Sequence, residues 1–246
     1  MTHITKADKR RVVNRGPFTS RFLPLGTPLK DLDDHGLAQI GRLEHATLKG
    51  GALVPMHMHQ NEEILSYLRK GTMHHKDSNE NDLGINNTYF MLMNAGSGIY
   101  HEEGVQEGDE TVEMLQIFIR PKADGLKPKI QFHEPGSTYS LNAWRLLAGH
   151  ERSEAPMIFR SEVLFYDVRL EQNKILQTPD LNDNTGFMYV FNGNLTIENN
   201  GKTIEKGDSI VIKDEKLILK SNRNSDLVFF ALNEKAPYSR NGLFAK

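Results

Sequence analysis

The chain has 246 residues, enough to bury a sizeable core in one large or two modest domains. Its 30 Lys and Arg nearly balance 32 Asp and Glu, so the net charge of -2 gives no sign of a surface for nucleic acid or membrane. The absence of cysteine excludes disulfides, thiolate metal sites and cysteine nucleophiles. The polar N-terminal stretch has no signal-like apolar run, so we expect a soluble, cytoplasmic protein.

Short segments rich in β-branched, aromatic and methionine residues follow one another along the chain, separated by turns rich in glycine and asparagine. They predict strands at Ile64–Leu68, Tyr89–Met93, Glu113–Ile119, Val163–Leu170, Phe187–Phe191, Leu195–Glu198, Ser209–Ile212, Leu217–Leu219 and Leu227–Leu232. A turn is predicted at Asn192-Gly193 and a hairpin at Asn200-Gly201. Many short strands with regular turns indicate an all-β fold of antiparallel barrels or sandwiches.

A polar segment with two prolines, from Pro121 to Pro128, predicts a connection between two halves that share one order of strands and turns. We therefore predict two antiparallel β-barrel domains, residues 1–125 and residues 126–246. No histidine follows His150. We accordingly expect any metal chemistry in the N-terminal domain only.

Two pairs of ligand-type residues form the most informative pattern of the sequence: His57 with His59, and further along His101 with Glu103. Residues two apart on a β-strand point to the same face, so two neighbouring strands could aim all four side chains at one point. A single pair would usually be an ordinary surface feature; the second pair favours a metal site. Three imidazoles and a carboxylate suit a divalent transition metal and leave positions open for catalysis.

Other polar residues lie close to this pattern. Glu63 falls on the same predicted face as the first histidine pair, and three roles stay open for it: ligand, group that orients an imidazole, or acid–base catalyst. Glu62 and Glu102 are out of phase with the ligands, so we expect them to face solvent. His74 and His75 are adjacent and face opposite sides of a strand, and we expect both to be ordinary hairpin residues.

Several runs of the sequence carry a family signature: His57–Gly71, His75–Asn81, Ala95–Glu103, Leu115–Ile119 and Pro121–Pro128. In these runs the chain resembles the pirin family, in particular its short bacterial members. The resemblance is strong over about residues 40–130 and continues more loosely through the second half.

The resemblance implies a bicupin, in which two antiparallel β-barrels (jelly rolls) carry one metal, usually iron, in the N-terminal barrel. By motif position its ligands are His57, His59, His101 and Glu103. Glu63 then becomes a residue beside the ligands. Fe(II) is the expected ion, with Zn, Mn, Ni, Cu and Co as alternatives.

The resemblance also implies a function. Several bacterial pirins resemble quercetin 2,3-dioxygenases, which open flavonol rings with O2 and release carbon monoxide. We therefore expect a metal-dependent dioxygenase acting on a small aromatic, flavonol-like substrate, with Glu103 as the catalytic base and Glu63 as the second candidate. The alternative is a metal-binding regulatory protein that acts through protein–protein contact without turnover, as other relatives are described.

Three positions depart from the family pattern. Met58 replaces a usual proline after the first ligand, Asn87-Thr88-Tyr89 replaces a turn of the Pro-Gly-Asp type, and Glu102 replaces a common serine. None of these removes a ligand. They bear on the identity of the substrate more than on metal binding.

Overall fold

The computed structural model describes residues 2–25 and 34–245. These residues form twenty strands, a short 3-10 helix at Ala7–Lys9 and no α-helix, which confirms the predicted all-β class. In chain order the strands are β1 (Thr2–Thr5), β2 (Arg11–Arg15), β3 (Phe18–Phe22), β4 (Ile40–Leu48), β5 (Leu53–His59), β6 (Glu63–Lys70), β7 (Met73–Asp77), β8 (Asp82–Ile85), β9 (Phe90–Asn94), β10 (Ile99–Gly104), β11 (Val112–Ile119), β12 (Lys129–His133), β13 (Arg145–His150), β14 (Met157–Phe159), β15 (Val163–Leu170), β16 (Ile175–Gln177), β17 (Thr185–Ile197), β18 (Lys202–Glu205), β19 (Ser209–Ile212) and β20 (Ile218–Leu232). No helix in this part of the chain is long and apolar enough to span a membrane.

The chain folds into two compact units whose limits differ from the predicted division at residue 125. One, here called the N unit, comprises Arg10–Thr138, Phe159–Ser161 and Ala236–Lys246; the other, the C unit, comprises Met1–Lys9, Tyr139–Ile158 and Glu162–Lys235. The first strand belongs to the C unit because β1 pairs antiparallel with β19, from Thr2 opposite Ile212 to Thr5 opposite Ser209. Pairing between such distant segments leaves no local signal in the sequence.

The C unit is one antiparallel sheet in the order β1-β19-β17-β20-β15-β13-β14, with β16 and β18 added to β20 and β17. The predicted hairpin is confirmed, because Ile197 and Lys202 pair across a turn that contains Asn200-Gly201. The predicted turn at Asn192-Gly193 is wrong. There β17 continues through a bulge, where its register against β20 shifts, and such a bulge bends a strand without ending it.

The N unit contains two antiparallel sheets. The larger has the order β12-β9-β6-β11-β4-β3-β2, and the smaller has the order β5-β10-β7-β8. Apolar residues from both sheets share one buried cluster, which includes Leu48, Leu68, Met73, Ile85 and Met114. The cluster fixes the smaller sheet, which carries both predicted ligand pairs, against the larger one.

The bulge of β17 yields a stability prediction. Gly193 has a φ of +113°, and a Cβ there would lie 2.1 Å from the Oγ of Ser225. Gly193→Ala should therefore combine backbone strain with a clash and cost about 2–4 kcal/mol of unfolding free energy. Gly201→Ala is the matched control, since Gly201 also has a positive φ of +69° but no atom within 4 Å of an added Cβ. We expect a loss of about 1 kcal/mol for the control in urea unfolding; equal losses would contradict the clash.

Candidate metal centre

The two predicted ligand pairs lie on neighbouring strands. In the antiparallel ladder between β5 and β10, His57 is opposite His101, and His59 is opposite Ile99. The register shifts between His101 and Glu103, so a bulge in this ladder separates the second pair. The alternation of side chains along the strands therefore brings three imidazoles to one face of the small sheet. Glu103 lies on β10 after the bulge, where this alternation is interrupted.

Three imidazole nitrogens converge on one point. The Nε2 atom of His57 lies 2.9 Å from that of His59 and 3.2 Å from that of His101. With metal–nitrogen bonds of about 2.0–2.1 Å, two neighbouring nitrogens are roughly 2.9 Å apart on an octahedral ion and roughly 3.4 Å apart on a tetrahedral one. The observed separations fall within the range for nitrogens that share one ion.

Hydrogen bonds behind two of the rings fix their tautomers. The Nδ1 of His57 lies 2.9 Å from the carbonyl oxygen of Pro55, and the Nδ1 of His59 lies 2.5 Å from the Oε1 of Glu62. A carbonyl and a carboxylate accept, so each Nδ1 carries the proton and each Nε2 turns a lone pair towards the other ring. Lone pairs at 2.9 Å repel one another unless a cation lies between them. The residues therefore fit a bound metal ion.

The third ring and the carboxylate are buried together. The Nδ1 of His101 and the Oε1 of Glu103 are 3.7 Å apart, and neither has a hydrogen-bond partner among the described residues. Burial, followed by the nearby histidines, lowers the pKa of His101 to about 2, so this ring is neutral and able to bind a metal. Burial raises the pKa of Glu103, although the histidines and a hydrogen bond with Gln116 oppose the rise.

The candidate ligands form two overlapping groups, and Glu103 is in the group that also contains His75. Its carboxylate and one nitrogen each of His75 and His101 lie within 4.8 Å of one another, as do nitrogens of His57, His59 and His101. His101 thus belongs to both groups. The structure brings the three predicted histidines together and places Glu103 beside one of them.

The expectation that His75 is an ordinary hairpin residue is wrong, because it lies in a buried group with His101 and Glu103. It is buried, and its Nε2 lies 2.7 Å from the Oδ2 of Asp77. In the part of the chain that the structure describes, its Nδ1 has no hydrogen-bond partner. Its strand β7 pairs with β10, so that Glu103 stands opposite His75. The spacing of His75 and Asp77 was a usable signal, because both residues fall on one face of a strand. His74, on the other face, is half-buried, as alternation requires.

The expectation for Glu62 is wrong. Its side chain is fully buried, and besides His59 it accepts hydrogen bonds from the backbone N–H groups of Phe244 and Ala245. Strand β5 ends at His59 and β6 begins at Glu63, so the alternation of side chains between two faces does not apply to the three residues between them. Asn61 there has a φ of +53°, which reorients the chain. Glu102 lies within β10 and is half-buried.

Glu63, the second candidate base, bonds elsewhere. Its carboxylate accepts hydrogen bonds from the amide of Asn94 and from the backbone N–H and Nε of Arg160, and it does not line the cavity at the three histidines. Burial raises the pKa of Glu63 to about 7, while the bonds from Asn94 and Arg160 limit the rise. These contacts hold the segment that contains Arg160 against the start of β6.

A cavity of about 360 Å³ opens at the three histidines. Most of its wall is apolar, and its polar groups besides the candidate ligands include Arg42, Glu44 and Gln116. The guanidinium of Arg42 pairs with Glu44 and lies 5.5 Å from the ring centre of Phe118. The apolar residues of the wall are Phe18, Ala46, Leu48, Val54, Pro55, Met56, Met73, Met114, Phe118 and Phe244.

Comparison with known proteins matches both halves of the chain. A family model described as Pirin matches residues 28–119, and one described as Quercetinase C-terminal cupin domain matches residues 146–232. The chain belongs to the pirin family. Quercetin 2,3-dioxygenase of Escherichia coli (strain K12) is 28% identical over 131 residues, which are 53% of this chain and 57% of that protein. A relative from Pasteurella multocida is matched over 60% of its length, so less than two thirds of either relative is covered.

Solved structures show the fold. The Escherichia coli protein YhhW has a TM-score of 0.83 over 98% of this chain and 100% of its own, at 23% identity. The same bacterial pirin in complex with nickel(II) has a TM-score of 0.82 over 96% of this chain and 100% of its own, at 22% identity. The predicted bicupin fold is confirmed.

The pair of buried Glu63 and half-buried Arg160 yields a pH-dependent prediction. Because the pKa of Glu63 is raised from 4.5 to about 7, its protonation favours the folded state, and this stability is lost as the pH rises through that range. Arg160→Met removes the cation and raises the pKa of Glu63 further. We expect a loss of about 3 kcal/mol at pH 8 and a clearly smaller loss at pH 5.5 in urea unfolding.

The double variant Glu63→Gln with Arg160→Met is the control, because it leaves no carboxylate to titrate at this position. Its loss of stability relative to the wild type should vary less with pH than that of Arg160→Met. A loss in Arg160→Met that is the same at both pH values would show that Glu63 does not titrate as described.

Proposed function

We propose that this pirin is a metal-dependent dioxygenase that opens the ring of flavonols such as quercetin with O2. One observation carries the proposal: the Nε2 atoms of His57, His59 and His101 converge on one point in the wall of a largely apolar cavity. Its volume of about 360 Å³ falls within the range of roughly 300–1,000 Å³ that is usual for small-molecule sites. The relative from Escherichia coli called quercetin 2,3-dioxygenase supports the choice of substrate class.

His57, His59, His101 and Glu103 would hold the metal. The set is rich in neutral imidazole and contains one carboxylate, a combination that suits Fe(II), our expected ion, as well as Zn, Mn, Ni, Cu and Co. The nickel(II) complex of a structurally similar bacterial pirin supports a divalent ion. When bound, the ion would act as a Lewis acid that favours the anionic form of an enolic hydroxyl and offers open positions to ligands.

The protein's own groups would deprotonate and orient the substrate. Glu103 receives a hydrogen bond from Gln116, and its other oxygen has no partner within residues 2–25 and 34–245. It is therefore placed to accept the proton of a hydroxyl group at the histidines. Met73, Met114 and Phe118 form apolar wall that would exclude water and pack against an aromatic ring system. Glu63 has no part in this mechanism because Asn94 and Arg160 take up its carboxylate.

The first test combines metal content with turnover. Protein loaded anaerobically with Fe(II) should contain about one equivalent of iron, bleach quercetin absorbance and consume O2. His57→Asn should lose most of the bound iron and the turnover. His74→Asn is the matched control, since His74 is a half-buried histidine on the other face of the same small sheet and does not line this cavity.

The outcomes separate the functions. Iron binding without loss of flavonol absorbance or uptake of O2 would overturn the dioxygenase and favour the regulatory alternative, in which the metal-loaded protein acts through a protein partner. Failure of the wild type to bind iron or nickel(II) would overturn the metal site itself.

A second test concerns Glu103. Glu103→Gln removes the proton acceptor but keeps an oxygen donor at the same position. We expect kcat for quercetin to fall by about 10²–10⁴-fold while metal binding weakens much less. Glu102→Gln, the same change at the next residue, should leave kcat unchanged. If kcat for Glu103→Gln stays within about threefold of the wild type, Glu103 is not the base.

A further inference from the structure

The last segment of the N unit, residues 236–245, contains no strand and reaches the candidate metal centre through Glu62. The Oε2 of Glu62 accepts the backbone N–H groups of Phe244 and Ala245 at 2.9 and 3.0 Å. Its Oε1 lies 2.5 Å from the Nδ1 of His59. One fully buried carboxylate thus joins the backbone of this segment to a candidate ligand.

The segment is fitted closely where it meets Glu62. The Nε of Arg120 donates a hydrogen bond of 3.1 Å to the carbonyl oxygen of Ala245. Ala245 is fully buried, and a Cβ on Gly41 would lie 2.5 Å from the Cβ of Ala245. A Cβ on Gly242 would lie 3.1 Å from both the backbone oxygen of Asn61 and the Oε2 of Glu62. These close approaches fix the backbone so that its two N–H groups face the carboxylate.

The same segment also supplies a wall of the cavity. The ring centre of Phe244 lies 4.9 Å from that of His59 and 6.2 Å from that of Phe118. The ring lines the cavity while 40% of the residue's surface stays exposed. The backbone of the segment therefore contacts the carboxylate behind a ligand, and its side chain contacts the ligand ring itself.

We propose that Glu62 is a positioning residue that couples docking of the 236–245 segment to the metal affinity of His59. This inference rests on the metal site of the proposed function. The Glu62 carboxylate is held by three donors, and removal of the two backbone donors leaves it free to turn away from His59. The ring of His59 would then lose the acceptor that fixes its tautomer and direction. Because such coupling is reciprocal, a bound metal should in turn hold the segment in place.

The experiment measures the dissociation constant of nickel(II) by competition with a chelating indicator. In a variant that ends at Gly242, both N–H donors are removed. In Glu62→Gln, the amide has one acceptor oxygen for three donors. We expect nickel(II) to bind about 10–100-fold more weakly to both variants than to the wild type.

Two controls separate this coupling from general damage. Glu102→Gln makes the same chemical change beside another candidate ligand, and Leu243→Ala truncates an exposed side chain of the same segment, outside this cavity, while keeping the backbone N–H groups. Both should bind nickel(II) within about threefold of the wild type, a difference well below the expected effect. Phe244→Ala separates the two contacts of the segment, because it removes a ring of the cavity wall but keeps the backbone N–H group. We expect it to weaken nickel(II) binding less than the truncation does. If it binds as weakly as the truncated variant, the ring and not the backbone bond is responsible, and the role of Glu62 is overturned.

Amide hydrogen exchange of the wild type gives a readout that needs no variant. The amide protons of Phe244 and Ala245 should exchange more slowly with nickel(II) bound than without it. Unchanged exchange together with an unchanged dissociation constant in Glu62→Gln would overturn the coupling while leaving the metal site in place. A wild type that binds no nickel(II) would instead overturn the proposed function. If the truncated variant does not fold, Glu62→Gln and the exchange rates decide.

Discussion

The candidate site depends on one constraint: neutral imidazole rings must turn their unprotonated nitrogens to the same point, although these nitrogens repel one another. An acceptor behind a ring satisfies the constraint by holding the proton on the far nitrogen. For His57 this acceptor is the carbonyl of Pro55 on the same strand. For His59 it is the carboxylate of Glu62, three residues further along the chain. Much of the surrounding N unit, from the small sheet to the final segment, serves to keep these acceptors and rings in register.

Two adjacent glutamates, Glu62 just before β6 and Glu63 at its start, show how buried charge organises this unit. Glu62 holds the backbone of the final segment, and Glu63 holds Arg160. A buried carboxylate is costly unless it is fully hydrogen-bonded, so each of these side chains requires its distant partner to be in place. Two consecutive residues thereby hold two different segments, residues 236–245 and the segment of Arg160, beside the candidate site. These bonds occupy both carboxylates, whereas among the described residues one oxygen of Glu103 has no hydrogen-bond partner.

The histidine arrangement was predictable from the sequence because it follows from the two-residue period of a strand. The all-β class and the Asn200-Gly201 hairpin were predictable for similar local reasons. The roles of Glu62 and Glu63 were not, since their partners lie far away in the chain and Glu62 sits where the strand period is interrupted. The prediction for His75, an ordinary hairpin residue, failed for a different reason: its spacing from Asp77 fits a strand, but only the pairing of β7 with β10 shows that it lies opposite Glu103.

The position of β5 in the small sheet has a consequence for how long an ion would stay. In the order β5-β10-β7-β8 this strand lies at the end, and β10 is its only partner among the described strands. Two of the three converging histidines are on it. An ion held between the strands would act as a cross-link that prevents an edge strand from fraying. The lifetime of the bound ion would then be set by how often β5 opens, and residence time would report local unfolding of this edge.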